Sequence, residues 1–181
     1  EIQEVKVADS LTIYLGCDGF GETLKNEIKS HLEAKGGIQI IDHGCDTYYD
    51  AAAQVSKSII KNSSDGDSGT AQGILFCGTG MGVGMMANKF PGIRAATCEN
   101  VTAARCGRAV NNSNVLCLGQ LVTKPELAKT IVDEFLKQEF ISHPSGDDDK
   151  PLRWWNDDVE KFLATSMEGV SKVEKEARET A

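Results

Sequence analysis

Short apolar runs and longer amphipathic stretches take turns along the chain, separated by glycine-rich or polar breaks. The densest apolar run, Gly73–Cys77 (GILFC), predicts a buried strand. Glycines follow at 78, 80, 82 and 84 with Thr79 among them, and Val83–Lys89 then reads as the first turns of a helix. Four further strands are predicted at Leu11–Leu15, Ile38–Ile41, Ile93–Thr97 and Asn114–Leu118. Gly16-Cys17-Asp18-Gly19 closes the first of these and Asp42-His43-Gly44 the second. Helical periodicity covers Phe20–Lys35, with Leu24, Ile28 and Leu32 on one face, and Tyr49–Lys61, with Val55 and Ile59 facing inward. It covers Val101–Ala109 and Lys124–Gln138 as well, the latter with Pro125 in a first turn that tolerates proline. A last helix is predicted from about Asn156 to Ala181; Val159, Phe162, Leu163 and Met167 lie in its first part, and its end (KVEKEARETA) has little to bury.

Strands alternating with helices imply a parallel sheet covered on both faces, a Rossmann-like three-layer α/β/α sandwich with five strands and an extended C-terminal helix. Residues 1–10 read as a polar lead-in, 11–140 as the α/β domain and 141–181 as a C-terminal loop and helix. Asn62–Ala71 is a polar loop and 140–149 an irregular acidic one. No run approaches the roughly 18 apolar residues of a membrane helix, so no membrane partner is expected.

The net charge of −8 and the absence of a Lys/Arg cluster argue against direct nucleic-acid binding. Six cysteines, at 17, 45, 77, 98, 106 and 117, form no CxxC pair, so a zinc ribbon is not expected. Most sit in or beside strand-like runs, as buried thiols of a reducing compartment do. The expectation is a cytoplasmic protein, or a plastid one if a targeting segment has been removed.

A strand that runs through a glycine loop into a helix points backbone N–H groups at one spot. Cys77 ends that strand, where open α/β sheets hold their ligands. Such donors favour anions, so a thiol there, beside a nest for oxyanions, is a possible reactive centre. The plainer alternatives are a buried strand cysteine and a tight turn. Asp18, at another strand end, could bind a ligand or cap the following helix. Of the three histidines, His31 reads as a boundary residue of the first helix and His143 lies in the acidic loop. His43 is the one that could serve as an acid on the active face, against a structural role. Arg94, Arg105, Arg108 and Arg153 are candidate phosphate ligands, and Arg108, one turn before Asn111, is the best placed. Of the adjacent Trp154 and Trp155, one is expected to anchor the C-terminal segment.

Four pieces together, GCD at 16–18, ILFCGTGMG at 74–82, ANKFPGIRAA at 87–96 and NNSNVLCLG at 111–119, carry a resemblance. From about Leu11 to Gln138 the chain resembles ribose-5-phosphate isomerase B and the B-type sugar-phosphate isomerases. The resemblance implies interconversion of an aldose phosphate and a ketose phosphate without metal or cofactor. It also implies a homodimer or homotetramer with active sites at the interface. Cys77 matches the family base, and Thr79 the neighbouring threonine. The loop Gly78–Gly82, with Gly80 and Met81 inside it, matches the enediolate cradle. Asp18 and Asn111 match substrate-binding positions, and Tyr48, Arg108 and Arg153 complete the expected set. There are departures. Gly19 and Val110 stand where the family has histidines, the second credited with ring opening, and Leu121 stands in place of a phosphate arginine. Arg153 can stand for one further phosphate arginine, and another falls on Asp157. Tyr48-Tyr49, the 62–70 loop, NNSNVL and the KP…W segment near 150–155 resemble the plant DNA-damage-repair/toleration proteins, an isomerase-like subgroup that suggests a non-catalytic role as the alternative.

Overall fold

The computed structural model describes residues 11–62, 70–145 and 152–180. The lead-in at 1–10, most of the polar loop (63–69) and the acidic run 146–150 lie outside the described residues. The elements are β1 (Thr12–Cys17), α1 (Glu22–Lys35), β2 (Gln39–Cys45), α2 (Tyr48–Asn62), β3 (Ala71–Cys77), α3 (Met81–Ala87), β4 (Ala95–Thr97), α4 (Val101–Ala109), β5 (Val115–Gly119), α5 (Pro125–Lys137) and α6 (Asp157–Glu179). The strands form one parallel sheet in the order β2-β1-β3-β5-β4.

β3 is the central strand, and all seven of its residues are buried. That is why it reads as a continuous apolar run rather than an alternating one. Its side chains divide between two cores. Ile74 and Phe76 pack with Leu24, Ile28 and Leu32 of α1, Ala104 of α4, and Ile131 and Phe135 of α5. Leu75 and Cys77 pack with Val55 and Ile59 of α2 and Val83 and Ala87 of α3 on the other face. The sandwich expected from the alternation of elements is the fold observed.

Boundaries differ where tertiary contacts override local signals. β2 runs through Asp42-His43-Gly44 to Cys45 instead of ending at Ile41, because β1 continues alongside it. The strand tolerates Asp42 because Lys25 and Lys29 of α1 meet its carboxylate at 2.8 and 3.0 Å. β4 starts at Ala95 rather than Ile93. The backbone before it is held by a side chain: Arg94 N–H donates to Asn114 Oδ1, and Asn114 Nδ2 donates to the Gly92 carbonyl.

The Lys25–Asp42 pair is largely buried. Burial pushes the Asp42 carboxyl up, but the ammonium of Lys25, the Gly44 N–H and Lys29 together outweigh it and bring it down to about 2. A carboxyl lowered on folding adds stability above its unfolded value, about 3.9, and that stability is lost as pH falls through the folded value. Asp42→Asn is therefore expected to cost about 3 kcal/mol near neutral pH, since it leaves Lys25 buried without its counter-charge. The gap should close between about pH 4 and about pH 2. Urea unfolding of both proteins across that range checks it; a gap constant with pH would refute the assignment.

α6 lies on the outside of the sheet body, and near its far end Glu174 accepts from the Gly92 N–H at 2.9 Å. Trp155 and Leu163 anchor its start against Ala109, Val110, Phe140 and Ile141, and Trp155 Nε1 donates to Glu160 at 2.6 Å. Trp155 is thus the expected anchor, while Trp154 is exposed. Asn156 caps the helix by accepting from the N–H groups of Asp158 and Val159. Beyond Leu163, α6 exposes Val170 and Val173, and Phe162 is exposed as well.

Candidate active site at the carboxyl edge of the sheet

β1 and β3 are neighbours, yet β1 leads to α1 on one face of the sheet and β3 to α3 on the other. This is the switch point at which doubly wound sheets open a crevice. Cys77 ends β3 at its lip, 5% exposed. The Gly80 N–H donates to Cys77 Sγ at 3.1 Å. That bond requires the loop to fold back on the thiol, which Gly80 does at φ 79°, a left-handed conformation glycine adopts at little cost. Thr97 Oγ1, at the end of β4, donates to the Gly80 carbonyl. The loop is also tied to the exit of β5: Gln120 N–H donates to the Cys77 carbonyl and Leu121 N–H to that of Gly78. Gln120 Oε1 accepts from Leu24 N–H at 3.0 Å, which joins the start of α1 to the same point. Reading the sequence missed Gln120; its one signal is a polar residue directly after the apolar VLCLG strand.

Around Cys77 the same edge gathers Asp18, Thr79, Met81, Gly82 and Tyr48. Asp18 Oδ1 accepts from Phe20 N–H at 2.9 Å, closing a tight turn. The N-cap of α1 is Gly21, with no side-chain cap, so Asp18 shapes the turn before the helix rather than capping it. Thr79 is exposed at the tip of the loop. The Tyr48 ring lies over Gly82, where a Cβ would stand 3.3 Å from it. Tyr48 and Tyr49 meet edge to face at 5.2 Å, and both are nearly half exposed, so neither is a core residue. The rim is otherwise apolar: Phe20, Met81, Met85, Leu121 and Val122 are all at least half exposed. Leu121 lies against Gly78, where the resemblance expects an arginine.

The rest of the expected set lies elsewhere. Asn111 and Val110 precede β5, and β5 begins with Val115 opposite Gly73 while Cys77 pairs with Gly119. Four residues of strand, about 13 Å, separate those levels, so Asn111 is at the opposite edge of the sheet from Cys77. Arg153 is exposed at that edge, two residues before the Trp155 anchor beside Val110. Arg108 corrects an expectation: it is buried and structural rather than a well-placed phosphate ligand. Its Nη1 donates to the Ser113 carbonyl at 2.6 Å, its Nε donates to the Gln138 carbonyl, and its guanidinium lies over the Phe135 ring. It locks the α4–β5 turn to α5. Arg105 is likewise buried against Glu134 at 2.9 Å. Arg94 Nε donates to the Asn112 carbonyl at 2.7 Å, and burial holds its guanidinium below its usual value against the pull of Glu174.

His43 faces α2, bonded to Ser58 Oγ at 3.0 Å and stacked on Tyr14. That is a structural placement. His31 pairs with Asp133 at 2.8 Å, and His143 packs against Trp155. Among the described residues, no three His, Cys, Asp or Glu side chains group to hold a metal ion, and no helix is long and apolar enough to cross a membrane.

Residues 13–148 match the family described as Ribose/Galactose Isomerase. The chain is 37% identical over 169 residues to the DNA damage-repair/toleration protein DRT102 of Arabidopsis thaliana, covering 93% of this chain and 52% of that protein. It therefore spans about half the length of that relative. It is 41% identical over 133 residues to ribose-5-phosphate isomerase B of Escherichia coli, covering 71% of this chain and 85% of that one. Ribose-5-phosphate isomerase B from Mycoplasma genitalium, solved with bound ribulose-5-phosphate, superposes with a TM-score of 0.74 at 32% identity, covering 93% of this chain and 99% of that one. Sequence and architecture agree across the whole sheet and its glycine loop, and the chain belongs to the Ribose/Galactose Isomerase family.

Proposed function

We propose that the protein is an aldose–ketose isomerase acting on a phosphorylated sugar, with ribose 5-phosphate and ribulose 5-phosphate as the leading pair. The observation that carries this reading is Cys77 itself: a thiol at the lip of the switch-point crevice whose sulfur accepts the Gly80 N–H. In the proposed reaction the Cys77 thiolate takes the proton from C2 of the open-chain aldose. The electron pair moves toward the carbonyl oxygen, giving an enediolate whose charge the N–H groups of Gly78–Gly82 offset. The proton of the C2 hydroxyl passes to O1, and the proton held by Cys77 returns at C1 to give the ketose. Thr79, Asp18 and Tyr48 contact the sugar. Names of the relatives support the reaction class, the bound ribulose-5-phosphate of the Mycoplasma structure above all.

Asn111 and Arg153 can join Cys77 only from a second copy of the chain, because within one chain they occupy the other edge of the sheet. The exposed apolar rim of Phe20, Tyr48, Met81, Met85 and Leu121 suits such a contact, and the exposed stripe of α6 could extend it. A homodimer or homotetramer with shared sites is thus part of the reading. The test is incubation with ribose 5-phosphate and detection of ribulose 5-phosphate, with light scattering for oligomer size. Mixing two inactive variants, Cys77→Ala and Asn111→Ala, should restore part of the activity, since mixed dimers carry one intact site. No recovery from mixtures that exchange subunits would refute shared sites.

A second reading, a non-catalytic member that keeps a sugar-phosphate pocket, is favoured by one observation. Leu121, 70% exposed beside Gly78, puts an apolar side chain where a phosphate would need a charge. A sugar phosphate that raises the melting temperature without being converted would support it. The name of the Arabidopsis relative fits a role in damage tolerance.

A further inference from the structure

We propose that Cys17 and Cys45 form a reversible dithiol/disulfide pair, a redox modification site where β1 and β2 end beside the candidate active site. The inference comes from the register of the sheet and does not depend on the isomerase reading.

From Thr12↔Gln39 to Leu15↔Asp42 the two strands keep one register, and its continuation would set Gly44 opposite Cys17. A bulge intervenes. Gly44 takes φ 84°, and Cys45 becomes the partner of Cys17 instead. Neighbouring strands lie about 4.8 Å apart, inside the roughly 4.4–6.8 Å Cα span of natural disulfides. Cys45 is close enough to Cys17 to act on its thiol electrostatically. Cys17 Sγ also lies 3.5 Å from the Gly44 carbonyl, to which it donates. The backbone clamps the same point, with Asp46 N–H donating to the Cys17 carbonyl at 3.0 Å. The strand register itself sets the two cysteines opposite each other.

The two thiols differ in access. Cys45 is exposed and Cys17 fully buried. Burial, reinforced by the neighbouring Cys45, pushes the Cys17 thiol up to about 12. Cys45 is therefore the sulfur an external oxidant meets, and Cys17 the one that closes the bond. With a small-molecule disulfide as oxidant, the Cys45 thiolate attacks one sulfur and expels the other as a thiolate. Cys17 then attacks the Cys45 sulfur of this mixed disulfide and expels the second thiolate, which takes up the Cys17 proton. The two protein sulfurs are oxidised by two electrons in total, and the small-molecule disulfide is reduced to two thiols. The bond links the residue before Asp18 to the strand end that leads into Tyr48. It thus ties together two sides of the crevice.

The experiment incubates the reduced, full-length protein with oxidised glutathione, then counts free thiols after unfolding and maps tryptic peptides. Cys17 and Cys45 fall in separate peptides, 7–25 and 36–57, and each contains no other cysteine. The expected result is loss of two of the six thiols, a crosslink between those two peptides, and full recovery with dithiothreitol. Cys45→Ser, at an exposed position, should keep every remaining thiol. Cys17→Ala should stop at a glutathione adduct on Cys45. A wild-type protein that keeps all its thiols, that holds glutathione on Cys45 without closing the bond, or whose crosslink maps to another pair would overturn the proposal.

Discussion

Replacing Cys77 with alanine is expected to lower turnover of ribose 5-phosphate by roughly 10²–10⁴-fold, the range a positioned general base contributes, while leaving the fold in place. The separation follows from the geometry. The thiol accepts one hydrogen bond, from Gly80 N–H, and a single net hydrogen bond stabilises by about 1 kcal/mol. The loop is also held by Thr97 on the Gly80 carbonyl and by the Gln120 and Leu121 N–H groups. The variant should therefore melt within a few degrees of the parent and still be stabilised by the sugar phosphate. Turnover that survives the substitution would remove Cys77 from the reaction. A parent protein that binds the sugar phosphate and never converts it would favour the non-catalytic reading instead.

Gly119→Ala is expected to have the largest effect on stability. A Cβ at this position would stand 2.4 Å from the carbonyl carbon of Thr79 and 2.6 Å from its Cα. Both obstacles are backbone, so no rotamer change relieves the clash. Either β5 or the glycine loop must move. Overpacking of this kind costs about 3 kcal/mol or more, which for a chain of this size lowers the melting temperature by roughly 6–12 °C. Because the displaced segment carries Thr79 and the Gly80 N–H that donates to Cys77, activity should fall with stability. Gly19→Ala is the control: nothing lies within 4 Å of its added Cβ, and its stability should stay within about 0.5 kcal/mol of the parent. Differential scanning calorimetry of the three proteins decides the matter. Equal melting temperatures would mean that the β5–loop contact is looser than it stands here.

Much of the fold was legible along the chain because each element carries its own signal. β3 announces itself as an unbroken apolar run, being buried on both faces. α4 begins and ends where its periodicity does, at Val101 and Ala109, with Asn100 as its cap. β2 was legible only in its first half. Asp42, His43 and Gly44 look like a turn, and only the lysines of α1 and the strand alongside make them a strand. The placement of Cys77 and the glycine loop was legible because its signal is local, a strand end running directly into a helix start. Arg108 was misread because nothing in sequence spacing says which way a helical arginine faces. Here the α4–β5 turn presents carbonyls for it to hold.

The sequence by itself determined the order of elements, the central strand and the strand–loop–helix arrangement at Cys77, since strand, turn and helix signals act over a few residues. Only the tertiary structure decided which distant residues share an edge. It put Asp18, Tyr48 and Gln120 beside Cys77 and sent Asn111, Val110 and Arg153 to the far edge. It also set Cys45 rather than Gly44 against Cys17. The physical reason is that strand order and register are set by how whole faces pack, the burial of β3 between two layers above all. A slip of one residue in that packing changes which side chains meet.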